Sequence, residues 1–335
     1  MQNRQIILVK LPQGKLTVDC FQTREAPMPI PGPEEVLLRT LYVPLDAASR
    51  AWMQGVTYRS GLQAGDVMAA TVLAEVVESR SPLLAAGDLV LAETGWQTFA
   101  VVPAAGALKQ SDIVPHTHLL SVYGVPGLTA YFGLLECGRP KAGETVVVSA
   151  AAGAVGMFAG QIARLHGCRT VGIAGGGAKT ALLTDRLGFD AAIDYKAENL
   201  HDALRRSCPN GIDVLFDNVG GNILATSLQH MAKQGRIVCC GAVSQYDTAS
   251  PPAAPAGIPG VLIVNSLTMR GFLLADFLHR QEQALAALTV WIAEGKLAVI
   301  EDLITGFELL PAALVGLLAG KNRGKRIVQV ARPSV

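Results

Sequence analysis

From about Thr145 onward the chain alternates short apolar, β-branched runs with segments of helical length, the sequence form of a parallel sheet covered by helices. The runs are Thr145–Ser149, Arg169–Ala174, Ala191–Asp194, Asp213–Asp217, Arg236–Cys240 and Thr268–Leu273. Six strands suffice for a complete doubly wound dinucleotide-binding sheet. The pattern before this point is different. Val36–Thr40, Val67–Val77 and Asp88–Ala92 are separated by Pro and Gly clusters, which predicts a β-rich unit over residues 1–123. Beyond the six strands, Phe277–Glu294 carries Leu278, Leu285, Leu288 and Ile292 at helical spacing, followed by a short helix near Ala312–Leu318 and a strand, Lys325–Val330. A seventh strand needs another partner, so this tail is expected to return to the first unit. The predicted division is residues 1–123 with 295–335, and residues 124–294. Segment Ser250–Pro259, rich in Pro and Ala, is expected to be a loop.

A chain of 335 residues exceeds the size at which one core stops growing, which agrees with two units. Half the residues are apolar, 35 are Gly and 16% are charged, fitting a compact α/β protein with many tight turns. The net charge of +1 comes from scattered charges of both signs, so there is no polyanion-binding face and no electrostatic basis for a nucleic-acid partner. A small molecule is the expected partner. The six cysteines, at 20, 137, 168, 208, 239 and 240, contain no C-x-x-C pair and read as reduced thiols. The amino terminus lacks the apolar stretch of a secretory signal, and the apolar run Val261–Leu274 is interrupted by polar residues. The expected location is cytoplasmic, with no membrane attachment.

The first parallel strand runs into Ala150-Ala-Ala-Gly-Ala-Val-Gly156 and then an amphipathic helix with Val155, Phe158, Ile162 and Leu165 on one face. A strand, a glycine turn and a helix together place backbone N–H groups and the positive end of a helix dipole against an anion. Gly153 lets the backbone approach a pyrophosphate, and Gly156 permits close helix–strand packing. Ala151 stands where G-x-G-x-x-G has its first glycine, and Ala154 and Val155 complete the turn. An NAD site usually carries a carboxylate about 20 residues further on, to accept the ribose 2′-hydroxyl. This chain has Gly175-Gly176-Gly177 there, and no carboxylate from Thr145 to Thr184. Lys179 follows directly and can face a 2′-phosphate as a point charge. NADP is therefore the expected cofactor.

Five motifs then coincide: Gly127-Leu-Thr-Ala-Tyr131, the glycine turn itself, Phe216-Asp-Asn-Val-Gly-Gly221, Cys240-Gly-Ala-Val-Ser-Gln-Tyr246 and Gly320-Lys-Asn-Arg-Gly-Lys325. In order and over nearly the whole chain, they resemble the leukotriene B4 dehydrogenase, prostaglandin reductase and curcumin reductase branch of the medium-chain dehydrogenase/reductases. The resemblance implies a GroES-like β-rich catalytic domain joined to a Rossmann domain, NADPH, a homodimer, and reduction of α,β-unsaturated ketones or aldehydes. It implies 2′-phosphate contacts from Lys179 and Tyr195, and a cofactor contact from Asn218. Cys240 with Gly241, Phe272 and Asn322 match its nicotinamide end, and Tyr246 its tyrosine beside the nicotinamide ribose and substrate. The family's Asp-Pro-Tyr-Met-Arg stretch is Asp46-Ala-Ala-Ser-Arg50 here, so the arginine survives and the tyrosine is missing. Arg50 and Tyr58 match positions bordering the substrate pocket.

Zinc alcohol dehydrogenases of the same superfamily activate an alcohol with thiolate, imidazole and carboxylate ligands. The matching stretch here, Leu62-Gln-Ala-Gly-Asp-Val-Met68, has no Gly-His-Glu motif, and the six histidines are dispersed, so no metal is expected. Hydride delivery without a metal calls for a conjugated acceptor whose charge develops on a carbonyl oxygen, where one hydrogen-bond donor suffices. Tyr246 is the candidate donor, with a ribose-packing tyrosine as the plainer alternative. A quinone reductase and a non-catalytic NADPH-binding protein are the competing functions.

Overall fold

A computed structural model describes residues 2–57, 59–249 and 257–333. The amino-terminal strands are β1 (Asn3–Leu8), β2 (Phe21–Ala26), β3 (Glu35–Pro44), β4 (Thr71–Ser79), β5 (Leu89–Glu93), β6 (Phe99–Pro103) and β7 (Leu108–Lys109). The first two form an antiparallel pair, and β3 is the hub of a larger sheet, pairing with both β4 and β6. Its register slips between Thr40 and Tyr42. That bulge inverts the in–out alternation, which lets even-numbered Val36 and Leu38 and odd-numbered Val43 reach one core. The predicted strand Val67–Val77 begins later than expected, at Thr71. Val67 makes only an isolated bridge to Ile7.

Six parallel strands follow: β8 (Thr145–Ser149), β9 (Arg169–Ala174), β10 (Ala191–Asp194), β11 (Ile212–Asp217), β12 (Met231–Cys239) and β13 (Thr268–Gly271). Their spatial order is β10-β9-β8-β11-β12-β13, so the sheet grows outward from β8 and reverses direction between β8 and β11. Alternate residues serve opposite faces, as a sheet covered on both sides requires. Val146, Val148, Phe216 and Val238 enter one core, whereas Val147, Leu215 and Ile237 enter the other. Strand β12 starts five residues before its predicted limit, with Gln234 at φ +63° kinking the extension.

The tail returns to the amino-terminal sheet. Strand β14 (Glu301–Thr305) lies parallel to β15 (Lys325–Gln329), and β15 is antiparallel to β3. Between them the helix Leu310–Leu318 buries Leu310, Ala313 and Leu314 in the same core as β3. The predicted helix over 277–294 is shorter. A seven-residue 3-10 helix, Leu274–Arg280, precedes the α-helix Gln281–Ala293, and Leu278 is left exposed. The Asp276 carboxylate accepts the Leu273 N–H, which fixes that segment apart from the α-helix. Within the predicted loop 250–259, Ile258 and Pro259 instead open the helix Ile258–Asn265, with Pro in the first turn where no N–H is needed. The rest of that loop up to residue 256 lies outside the described residues.

Candidate active site

The sheet reversal between β8 and β11 opens a crevice at the carboxyl ends of the strands, and a cleft of about 570 Å³ lies there. Its central wall is the turn after β8. The backbone leaves the strand through Ala150 at φ +48°, one residue before Ala151, which stands in place of the first glycine. Ala151 is fully buried and turns into the core instead, its methyl close to Gly172 on β9. Gly153, Ala154, Val155 and Gly156 line the cleft. A Cβ on Gly156 would lie 2.5 Å from the Ala150 carbonyl oxygen, so any side chain would push the helix Gly156–Leu165 off the strand. The returning tail closes this turn from outside, where the Gly324 N–H donates to the Ala152 carbonyl at 2.8 Å. Gly324 sits at φ +67°, and a Cβ there would come within 2.0 Å of the Ile300 carbonyl oxygen.

One end of the cleft is basic. Lys179 lies beside Gly175 and Tyr195 in the lining, together with Lys196 and Arg326. Burial pushes the Lys179 pKa down, and repulsion from Lys196, Arg326 and Arg323 pushes it further, against a weaker pull from Asp302. Asp302 itself is engaged by Arg326 at 2.6 Å. Among the described residues Lys179 has no salt-bridge partner. The nearest strand-end carboxylate, Asp194, is occupied by the N–H groups of Gly176 and Lys196, at 2.9 and 3.0 Å. Among the described residues neither Lys179 nor Lys196 has a salt-bridge partner, so this end presents unneutralised cations, which fits a phosphate.

The other end is built on a buried carboxylate that sequence patterns do not single out. Asp217, 1% exposed, accepts the Ser149 hydroxyl at 2.6 Å and the Val219 and Gly220 N–H groups at 3.1 and 2.9 Å. Burial pushes its pKa up against those hydrogen bonds. Asn218 lines the cleft, held by its Nδ2 to the Ser149 carbonyl at 2.7 Å. The loop after β12 is stitched onto this corner. Cys240 and Gly241 donate to the Asp217 carbonyl, Val243 to that of Asn218 and Ser244 to that of Val219. Tyr246 follows a tight turn, Val243–Gln245, and its hydroxyl accepts the Ala242 N–H at 3.1 Å. Among the described residues the hydroxyl donates to no acceptor, which leaves its proton available.

Asn322 and, from the first unit, Leu45, Asp46 and Ala47 also line the cleft. Lys325, 1% exposed, donates to Asp46 Oδ1 at 2.6 Å and to the Leu45 carbonyl at 3.1 Å, tying β15 to the cleft floor. Both residues fall within motifs matched in the sequence, but neither is marked there as part of an ion pair. Several expected site residues lie off the lining, Gly241 and Tyr246 among them, Tyr246 being half-buried two residues past Ser244, which does line it. Cys240 packs against the core, with its thiol pushed up to about 12 by burial, and so stays uncharged. Phe272 packs against Gly133 and edge-on to Phe277. Arg50 is 1% exposed, and its guanidinium is bonded within the protein instead of opening into the cleft. Tyr58 lies outside the described residues. No group of three or more His, Cys, Asp or Glu side chains among the described residues is placed to hold a metal ion.

A doubly wound sheet with a glycine turn, a basic pocket and an overhanging second sheet defines a dinucleotide-dependent oxidoreductase. The families described as N-terminal domain of oxidoreductase and zinc-binding dehydrogenase match residues 4–110 and 154–290. The NADPH-dependent curcumin reductase of Escherichia coli (strain K12) is 37% identical over 336 residues, covering 98% of this chain and 97% of the reductase. Prostaglandin reductase 1 of Bos taurus is 41% identical over 322 residues, 94% of this chain and 95% of that enzyme. CurA from Vibrio vulnificus, solved in complex with NADPH, superposes with a TM-score of 0.94 at 39% identity, over 98% of this chain and 100% of CurA. The chain belongs to the zinc-independent medium-chain dehydrogenase/reductases. It is an NADP-dependent oxidoreductase.

Proposed function

We propose that this protein reduces the carbon–carbon double bond of α,β-unsaturated ketones or aldehydes with NADPH. The observation that carries the reading is the cleft at the sheet reversal, with Lys179 lacking a salt-bridge partner among the described residues at one end, and at the other the Asn218 corner to which the loop carrying Tyr246 is bonded. The names of the relatives, a curcumin reductase and a prostaglandin reductase, support it. The glycine turn and the helix Gly156–Leu165 would hold the pyrophosphate, Lys179 and Tyr195 the 2′-phosphate, and Asn218 and Asn322 the nicotinamide side. Bound there, the nicotinamide supplies a hydride. As hydride adds to the β-carbon of the substrate, negative charge collects on the carbonyl oxygen, and the Tyr246 hydroxyl donates a hydrogen bond to it. Accepting the Ala242 N–H polarises that hydroxyl and strengthens it as a donor. Benzalacetone and crotonaldehyde, as enone and enal probes, should consume NADPH readily and NADH poorly. Turnover of menadione without turnover of either probe would replace this reading with quinone reduction.

We divide the chain into units of 1–123 with 295–335, and 124–294. The pairing of β3 with β15 supports the first, and the continuous six-stranded sheet supports the second. We also place the protein in the cytoplasm, supported by six free cysteines. No helix among the described residues is long and apolar enough to cross a membrane. A homodimer is the expected assembly, formed through the outer edge of β13. That edge has no strand partner beyond it among the described residues, and the adjoining helix exposes Ile263 at 77% and Val264 at 74%. An Ile263→Asp, Val264→Asp double substitution should shift the mass measured by light scattering from two chains to one. A wild-type protein that already runs as one chain would refute the dimer.

A further inference from the structure

The loop that carries Tyr246 bridges the cleft, and its two halves are fastened to different units. Residues 240–244 are bonded to the corner of β11 in the parallel sheet. Gln245 and Asp247 are bonded to the amino-terminal unit. The Asp247 carboxylate accepts the Leu16 N–H at 2.6 Å and Arg50 Nε at 3.2 Å, and the Gln245 carbonyl accepts Gln54 Nε2 at 3.2 Å. Arg50 is itself immobilised. It lies on the short helix Ala48–Ala51, its Nη2 donates to the Gly14 carbonyl at 2.7 Å, and only 2% of its side chain is exposed. Its Nη1 is buried without a partner among the described residues. An unpaired interior donor costs free energy, so this arginine is not an arrangement that stability alone favours. Tyr246 lies two residues past the first anchorage, which ends at Ser244, and is flanked by Gln245 and Asp247 of the second.

We infer that Arg50 and Asp247 are positioning residues that fix the Tyr246 hydroxyl relative to both walls of the cleft. This rests on the role proposed above for Tyr246. With the Arg50–Asp247 pair intact, the amino-terminal unit holds the far side of the loop while the Asn218 corner holds the near side. The tyrosine can then occupy only the narrow range of positions that satisfies both. With Asp247 truncated, Tyr246 keeps its bond to the Ala242 N–H, but the loop loses its bonds to Leu16 and Arg50 and that half of it gains freedom to move. A displacement of about 1 Å at a reacting centre can cost on the order of 10²-fold in rate. Neither Arg50 nor Asp247 lines the cleft, so cofactor affinity does not depend on them directly.

The test is single-turnover reduction of benzalacetone by the NADPH complex, in wild type, Asp247→Ala, Arg50→Met, Tyr246→Phe, and the Asp247→Ala, Tyr246→Phe double variant. NADPH affinity and thermal midpoint are measured alongside. Asp247→Ala and Arg50→Met are expected to slow hydride transfer about tenfold or more, leaving NADPH affinity within a factor of about two. Adding Asp247→Ala to Tyr246→Phe should slow the step no further, because the group being positioned is already gone. Asp247→Asn keeps an acceptor for both donors, so it should recover most of the rate and guard against a fold that merely collapses. A wild-type rate in Asp247→Ala, or a loss that multiplies fully with that of Tyr246→Phe, overturns the inference and leaves the Tyr246 reading intact. A silent Tyr246→Phe overturns both.

Discussion

Tyr246→Phe is expected to lower the turnover number for an enone by about 10²-fold or more, the usual effect of deleting one donor to a developing oxyanion. The ring remains, so the loop keeps its packing, and in the free protein the substitution removes only the hydrogen bond between the hydroxyl and the Ala242 N–H. NADPH affinity should therefore stay near wild type. The opposite pattern, with weakened NADPH binding and an unchanged chemical step, would make Tyr246 a ribose-packing residue and remove it from catalysis. Stopped-flow hydride transfer, with cofactor binding measured by fluorescence titration, separates the two.

Lys179→Ala should weaken NADPH roughly ten- to a hundredfold, the range for deleting one charge-assisted hydrogen bond to a phosphate, and scarcely alter NADH. The pH dependence gives an independent reading. In the free protein, burial and the neighbouring cations hold the Lys179 pKa below its unfolded value. The charged lysine is thus a cost to the empty site, and the cost fades as pH rises through the folded-state pKa. A bound phosphate reverses the direction by raising that pKa. NADPH binding should accordingly take up protons at alkaline pH and weaken as pH rises through the free-state value, while NADH shows neither effect. Calorimetry in buffers of different ionisation enthalpy measures the uptake. Equal losses for both cofactors in the Ala variant would assign Lys179 to the shared parts of the dinucleotide.

The doubly wound sheet is legible in the sequence because its strands are buried on both faces. Continuous runs such as Thr145–Ser149 and Arg169–Ala174 leave no other reading, and those two match the structure residue for residue. Return of the tail is legible for a simpler reason, since a strand past the sixth has to pair elsewhere. Residues that line the site through backbone geometry, such as Gly153 and Gly156, are also within reach of pattern. The polar framework is not. Ser149 and Asp217 meet only because β8 and β11 become neighbours where the sheet reverses, and Asp247 meets Arg50 across 197 positions. No spacing rule connects such pairs. Arg50 reads as a pocket residue because an arginine in a matched motif looks like a ligand contact, and nothing local reveals that its partner is a carboxylate in a distant loop.

The pairing of β15 with β3 also sets an order of assembly on the ribosome. The parallel sheet is encoded as one uninterrupted stretch and can close as soon as residue 271 has emerged. The floor of the cleft cannot, because Lys325 must reach Asp46 across 279 positions and β15 must fill the place beside β3. Until then the amino-terminal sheet waits with the flank of β3 open, although it was synthesised first. This inverts the usual expectation that the earlier domain is finished earlier. Nascent chains arrested after residue 290 should accordingly bind NADPH weakly and expose a protease-sensitive amino-terminal half, whereas chains released past residue 329 should lose that sensitivity in a single step.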